Sequence, residues 1–185
     1  MATLVNKCRH CICCSLLALS QVACGDDSGG SASTPAADVP TTLKAQITQL
    51  ESSGALPALD RSSSIAGPDA NNNGVRDDIE AYVATLPITP VQKAAVMQDA
   101  RAQQLTLTVD LTDVAALDRV GALQARSTNC VVDSFIPNDE DGYNLLRKME
   151  AITANTRERA QQYLAYNRAS SGSVTRLPSG NTCDP

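Results

Sequence analysis

Side chains that carry oxygen recur at short, regular intervals in one segment of the chain, residues 69–80. Counted from Asp69, positions 1, 3, 5, 9 and 12 all carry such side chains, and Gly74 occupies position 6. Alternate residues of a tight turn point inward, and glycine permits the positive φ that a sharp reversal needs. This is the register of a twelve-residue calcium loop. The predicted ligands are the side chains of Asp69, Asn71, Asn73, Asp77 and Glu80 and the main-chain carbonyl of Val75.

The loop resembles the calcium-binding repeats of the EF-hand, dockerin and thrombospondin type-3 families, over these twelve residues. Gly67-Pro68 comes directly before it, so we expect no entering helix, and Arg76 stands where EF-hands have an aliphatic residue. A single copy with three carboxylates predicts weak binding, with a Kd of roughly 10⁻⁴–10⁻³ M, and a structural role. The alternative is a plain Asn/Gly turn before a helix whose acidic first turn needs no metal.

The beginning of the chain has the organisation of an export signal. Lys7 and Arg9 precede the uncharged segment 11–23. That length matches the apolar region of a signal peptide, ~7–15 residues, and is shorter than the ~20 residues of a membrane-spanning helix. We therefore expect residues 1–23 to be removed on export.

The end of this signal, Val22-Ala23-Cys24 followed by a Gly/Ser/Asp-rich segment, resembles the lipobox of bacterial lipoproteins. The resemblance implies that Cys24 becomes the lipidated N-terminus and that a membrane holds the protein through it. Gln21 departs from the leucine usual in that family, and the alternative is ordinary cleavage after Ser20. The segment around the calcium loop, GPDANNNGVRDDIE, also resembles uncharacterised exported proteins of Gram-negative bacteria. These resemblances imply a periplasm-facing lipoprotein, at the outer rather than the inner membrane, or a periplasmic or secreted protein without the lipid.

An exported chain is expected to meet an oxidising compartment. Four cysteines lie in the signal and Cys24 is assigned to lipid, which leaves Cys130 and Cys183. Two thiols in that environment most simply form one disulfide. Residues 24–40 are rich in Gly, Ser, Pro and Asp and predict a disordered tether before a domain that spans residues 41–185.

That domain has apolar residues at helical spacing and no sustained alternation, so we predict an all-α fold, an irregular bundle of four to five helices. The first follows Thr41 or Thr42, the second ends at Pro87, and the third opens at Thr89-Pro90. Asp110 or Thr112 is expected to cap the fourth. The fifth is predicted as one long helix after residues 138–142, with an apolar face formed by Leu145, Met149, Ile152, Thr156, Ala160 and Tyr163.

The charge and the composition of the chain exclude some classes of function. The net charge of −5 argues against nucleic-acid binding, and the one histidine, His10, lies in the predicted signal. The basic residues near the end of the chain are expected to form a solvated helix face. We therefore expect a non-enzymatic protein that binds an envelope protein or glycan, or acts as a scaffold; the alternative is an exported hydrolase with paired carboxylates. The basic residues in question are Arg147, Lys148, Arg157, Arg159 and Arg168.

Overall fold

Six α-helices and no strand are present in the part of the chain that the structure, a computed structural model, describes: residues 42–176 and 178–185. The predicted signal, Cys24 and the tether lie outside these ranges. The all-α prediction is confirmed. None of the helices within the described ranges is long and apolar enough to cross a membrane. The helices are α1 (Leu43–Ser52), α2 (Asp77–Thr85), α3 (Pro90–Thr108), α4 (Val114–Ser134), α5 (Asp139–Thr153) and α6 (Arg157–Ala169).

The helix starts follow local side-chain chemistry. The Thr42 hydroxyl accepts a hydrogen bond from the Ala45 amide at 3.2 Å, which fixes the start of α1. At α3, the Thr89 hydroxyl accepts from the Gln92 amide, and the Gln92 side chain accepts from the Thr89 amide. This reciprocal capping box satisfies two amides that have no partner inside the helix. Both starts were predicted correctly.

The start of α4 corrects the prediction of Asp110 or Thr112 as its cap. Asp110 Oδ1 instead accepts from the Thr112 amide at 2.8 Å and closes a separate turn before the helix. The cap is Asp113, whose Oδ1 accepts from the Ala116 amide at 2.9 Å. Two competing Asp side chains lie three residues apart, and the one nearer the apolar stripe caps the helix.

The predicted long fifth helix is wrong, because it is divided into α5 and α6. α5 ends at Thr153, and Thr156 caps α6 by accepting a hydrogen bond from the Arg159 amide at 3.2 Å. The apolar stripe runs across the break without a change of period, so it did not reveal the break. Residues 42–176 and 178–185 therefore contain one more helix than the largest number predicted.

The main core lies around α3, which packs against α2, α4, α5 and α6. A smaller cluster joins α4 to α6 through Leu117, Val120 and Tyr166. None of the α1 residues is buried. The bundle is thus built on α2 to α6. The main cluster consists of Val75, Ile79, Val83, Ala95, Val96, Ala100, Cys130, Val131, Phe135, Met149 and Ile152.

The predicted disulfide between Cys130 and Cys183 is confirmed. It joins α4 to the C-terminal segment, which also makes non-covalent contacts with the bundle. The Thr182 carbonyl accepts hydrogen bonds from Gln98 at 3.0 Å and from Arg126 at 2.8 Å. The end of the chain is therefore held against both α3 and α4.

Asp99 is a fully buried carboxyl in the middle of α3. Its Oδ1 accepts a hydrogen bond from Ser127 Oγ at 2.9 Å, and its Oδ2 has no partner among the described residues. Burial raises the pKa of Asp99 to about 6, against the opposing effect of the Ser127 hydrogen bond and with added repulsion from Glu150 of α5. The folded protein therefore carries a carboxyl that resists ionisation.

Replacing Asp99 by asparagine is expected to raise the free energy of unfolding at about pH 8 by about 1–3 kcal/mol. A raised pKa means that this carboxyl favours the folded state below its unfolded pKa of 3.8, and the contribution is lost as the pH rises through about 6. The amide of the variant cannot ionise, so its advantage should shrink toward about pH 4. Urea denaturation at both pH values measures this, with Asp118→Asn, an exposed acid of α4, as the control. A gain that does not change with pH would contradict the assignment.

Candidate metal centre

The turn formed by residues 69–76 is closed by a hydrogen bond between the two residues that flank it. The Asp77 amide donates to the Pro68 carbonyl at 2.9 Å. Gly74 has φ +82° and Asn72 has φ +56°, so the chain turns twice through the left-handed region. No helix enters the loop, as the sequence predicted, and α2 begins at Asp77.

The side chains at positions 1, 3 and 5 fold back into this turn. Asp69 accepts from the Asn73 amide through Oδ1 at 3.1 Å and from the Gly74 amide through Oδ2 at 2.9 Å. Asn71 Oδ1 also accepts from the Asn73 amide, at 3.0 Å, and Asn73 Oδ1 accepts from the Val75 amide at 2.9 Å. The structure therefore brings the oxygens of Asp69, Asn71 and Asn73 toward the inside of one turn.

The two acids at positions 9 and 12 reach the same loop from α2. Asp77 Oδ1 accepts from the Ala70 amide at 3.0 Å. The Glu80 carboxylate accepts from Asn71 Nδ2, at 3.2 and 3.1 Å to its two oxygens, and from Asn73 Nδ2. Glu80 therefore lies against positions 3 and 5, and Asp77 lies at the edge of the loop beside position 2.

These residues fit an oxygen-ligated cation such as calcium. The set offers carboxylate, amide and main-chain oxygens, which suit calcium better than a metal that prefers nitrogen or sulfur. Within residues 42–176 and 178–185, no group of three or more His, Cys, Asp or Glu side chains is placed to hold a metal ion. An ion here would therefore depend on amide and carbonyl oxygens as well as carboxylates. To bind it, Glu80 would exchange its contacts with the two amide nitrogens for the ion.

The loop is anchored to the core by the two residues that follow Gly74. The side chain of Val75 is fully buried in the main core, so the loop cannot move away from α2 without exposing it. Arg76 is also fully buried. Its guanidinium pairs with Asp78, at 2.6 Å to Oδ1 and 2.8 Å to Oδ2, and donates to the carbonyls of Ile152 and Thr153, each at 3.1 Å. Arg76 thus donates hydrogen bonds to carbonyls that have no partner within the helix at the C-terminal end of α5.

A second buried arginine, Arg159 of α6, holds the connection between α1 and the loop. It pairs with the Asp60 carboxylate and donates to the carbonyls of Asp60 and Ser64, each at 2.8 Å, and of Ile65 at 3.2 Å. Gly67, with φ +71°, leaves room for both arginines, because a Cβ there would lie 2.2 Å from Arg76 Cδ. The expectation that Arg159 belongs to a solvated face is therefore wrong.

Asp60 connects the two arginine clusters. Its amide donates to Asp78 Oδ2 at 2.7 Å, and its carboxylate pairs with Arg159. Burial disfavours the charged carboxylate, but the hydrogen bonds from Arg159 and Ser62 outweigh burial and hold the pKa of Asp60 at about 2. The long connection is thus fixed by a continuous network of ion pairs and hydrogen bonds that runs from α6 through Asp60 to α2 and the loop.

Sequence reasoning missed both buried arginines, although each left a signal. Arg76 occupies the position where EF-hand loops place an aliphatic anchor, so a buried side chain was the natural expectation there. Arg159 lies seven residues after Ile152 and seven before Tyr166, both of which are buried, so it shares their helical phase. A charge at an apolar register position indicates a buried partner.

The two carboxylates that border one concave surface are each engaged by arginine. Glu51 and Asp78 line a cavity of about 400 Å³ between the end of α1, α2 and α5. Glu51 pairs with Arg61, and Asp78 pairs with Arg76.

The chain matches no protein-family model, no curated protein sequence and no solved structure.

Proposed function

We propose that this chain is an exported, lipid-anchored envelope protein whose calcium loop has a structural role, and that it acts by binding or scaffolding rather than by catalysis. The observation that carries the proposal is the loop itself. Asp69, Asn71, Asn73 and Glu80 stand in calcium-loop register and make hydrogen bonds within one turn. Val75 and Arg76 link that turn directly to the core and to α5. An ion in the loop would thereby hold the long connection and the start of α2.

Calcium is expected to stabilise the protein measurably despite weak binding. At about 10 mM calcium, a Kd of roughly 10⁻⁴–10⁻³ M raises the free energy of unfolding by about 1–3 kcal/mol. Asp69→Ala should abolish this increase, because it removes the first carboxylate of the set. Isothermal calorimetry and urea denaturation with and without calcium measure the two effects.

The matched control for that experiment lies inside the loop. Asn72 is outside the predicted ligand set and has φ +56°, which glycine adopts easily. Asn72→Gly should therefore respond to calcium like the unmodified protein. Calcium binding is contradicted if the unmodified protein shows neither heat of binding nor stabilisation when calcium is added. It is also contradicted if Asp69→Ala responds to calcium equally.

The envelope location is supported by the export signal, by Cys24 in its lipobox-like setting and by the disulfide, which is typical of an oxidising compartment. Fractionation should place the protein with the membranes, at the outer membrane of a Gram-negative cell. Mass spectrometry of the N-terminal peptide should find Cys24 first and carrying a diacylglyceryl thioether. An unlipidated peptide that begins at Gln21 would show a periplasmic or secreted protein instead.

The partner that we expect for this binding role is an envelope protein or a glycan, because the net negative charge of the protein disfavours nucleic acid. The alternative of a carboxylate hydrolase receives less support from the acids described above. Glu51 and Asp78 are held in ion pairs, and Asp99 is fully buried. Pull-down from the membrane fraction would identify the partner.

A further inference from the structure

The first helix, α1, has an apolar face that the bundle leaves uncovered. Leu43, Ile47 and Leu50 are spaced i, i+4, i+7 and so lie on one side of the helix. Leu43 is 73% exposed and Leu50 is 43% exposed. The main packed helix pairs of residues 42–176 and 178–185 are formed among α2 to α6. Packing within the bundle therefore does not account for the apolar residues of α1.

The shortness of α1 makes a covering surface more important. The helix has 10 residues. Helices shorter than about 12–15 residues are only marginally stable in water when nothing packs against them. The Thr42 cap fixes the start of α1, and an ion pair between Glu51 and Arg61 joins its last turn to the connection that follows. Burial of the apolar face against another surface would add stability that these local contacts do not provide.

The charged groups beside this face have a positive balance. Leu43 and Ile47 border a groove in which Lys44 and Arg61 lie beside them. Among the described residues that line the groove, Glu51 is the one acid, and Arg61 neutralises it. The groove therefore has a net positive charge, although the chain as a whole has a net charge of −5. An apolar helix face bordered by basic groups suits a bilayer with negatively charged headgroups.

A membrane that holds Cys24 would lie within reach of α1. Residues 25–41 separate Cys24 from Thr42, the cap of the helix. A disordered chain of that length, which the composition predicts, spans about 20–25 Å on average. α1 is the first helix after Cys24 in the part of the chain that the structure describes. Its uncovered face is therefore the apolar surface that follows the proposed anchor most closely along the chain.

We propose that the apolar face of α1 lies on the lipid bilayer that holds Cys24. Leu43, Ile47 and Leu50 would meet the boundary between headgroups and acyl chains, and Lys44 would lie among the headgroups. The inference rests on the lipid anchor proposed above and adds a second contact to it. An anchor at the end of a tether leaves the domain free to rotate, whereas a bound α1 gives the bundle one defined orientation at the membrane.

Tryptophan is absent from the chain, so one introduced indole can report on this contact without background. Leu43→Trp places the indole on the proposed face. Val114→Trp is the matched control, because Val114 is also the first residue of a helix and is 69% exposed. The mature chain is coupled through the Cys24 thiol to vesicles of phosphatidylethanolamine, phosphatidylglycerol and a maleimide lipid. Cys130 and Cys183 do not compete for the maleimide, because they form the disulfide.

We expect the fluorescence of Leu43→Trp to move to shorter wavelength on the coupled vesicles and to be quenched by brominated lipid. The fluorescence of Val114→Trp should change in neither respect. In the protein without tryptophan, amide hydrogen exchange of residues 43–52 should slow by about tenfold on the same vesicles, because burial of a single leucine has an effect of that order. The double variant Leu43→Gln/Leu50→Gln should lose this protection.

The proposal is overturned if the fluorescence of Leu43→Trp does not change on the coupled vesicles, or if Val114→Trp responds equally. It is also overturned if the Leu43→Trp signal shifts without vesicles as the protein concentration rises, because a second copy would then cover the face. An unlipidated N-terminal peptide would overturn the anchor and this inference with it. A lipidated peptide together with unchanged fluorescence would overturn this inference alone and indicate a partner protein as the occupant of α1.

Discussion

Replacing Arg159 by alanine is expected to lower the free energy of unfolding by about 3–5 kcal/mol. The guanidinium is fully buried, and its removal would leave the Asp60 carboxylate without its cationic partner and the carbonyls of Ser64 and Ile65 without their donors. Breaking a buried ion pair from one side costs more than the pair contributes, because an unpaired charge stays behind. Urea denaturation followed by circular dichroism measures the loss.

Arg157 provides the matched control, because it lies on the same helix two residues earlier and is exposed. Arg157→Ala should change stability by no more than about 0.5 kcal/mol. Arg159→Lys keeps the charge but cannot reproduce the set of bonds to Asp60, Ser64 and Ile65, so its loss should be intermediate. Equal losses for Arg157→Ala and Arg159→Ala would mean that the buried network contributes little.

Loss of the disulfide is the second change expected to have a large effect. The double variant Cys130→Ala/Cys183→Ala should be less stable by about 4 kcal/mol, because a bridge across a sequence separation of 53 restricts the unfolded chain strongly. Chemical reduction of the unmodified protein should produce a similar loss. Urea denaturation of the oxidised, reduced and double-variant proteins compares the three directly.

The control for the disulfide tests the non-covalent contacts of the same segment. Arg126→Ala removes a hydrogen bond to the Thr182 carbonyl but leaves the bridge, so it should cost only about 1 kcal/mol. If the double cysteine variant lost no more than Arg126→Ala, the C-terminal segment would be held chiefly by side-chain contacts, and the constraint on the unfolded chain would be small.

The starts of α1 and α3 could be predicted from the sequence because their signals are local. Thr42, Thr89 and Pro90 mark helix starts by chemistry that acts within three or four residues. The calcium-loop register was equally readable, because it depends on spacing within twelve residues. The disulfide followed from two cysteines remaining after the export signal and the lipobox were set aside. All of these are short-range patterns or simple counts.

The sequence by itself therefore determined an all-α protein with a calcium-loop register and one disulfide. Only the tertiary structure decided that Arg76 and Arg159 are buried, because their partners lie far away along the chain, Thr153 for Arg76 and Asp60 for Arg159. It also decided where α5 ends. The apolar period continues through that point, but Arg76 binds the last carbonyls of α5 and Thr156 starts a new helix. A buried charge needs a partner, and the fold determines which distant residue provides it. The periodicity of one segment does not show which residue that is.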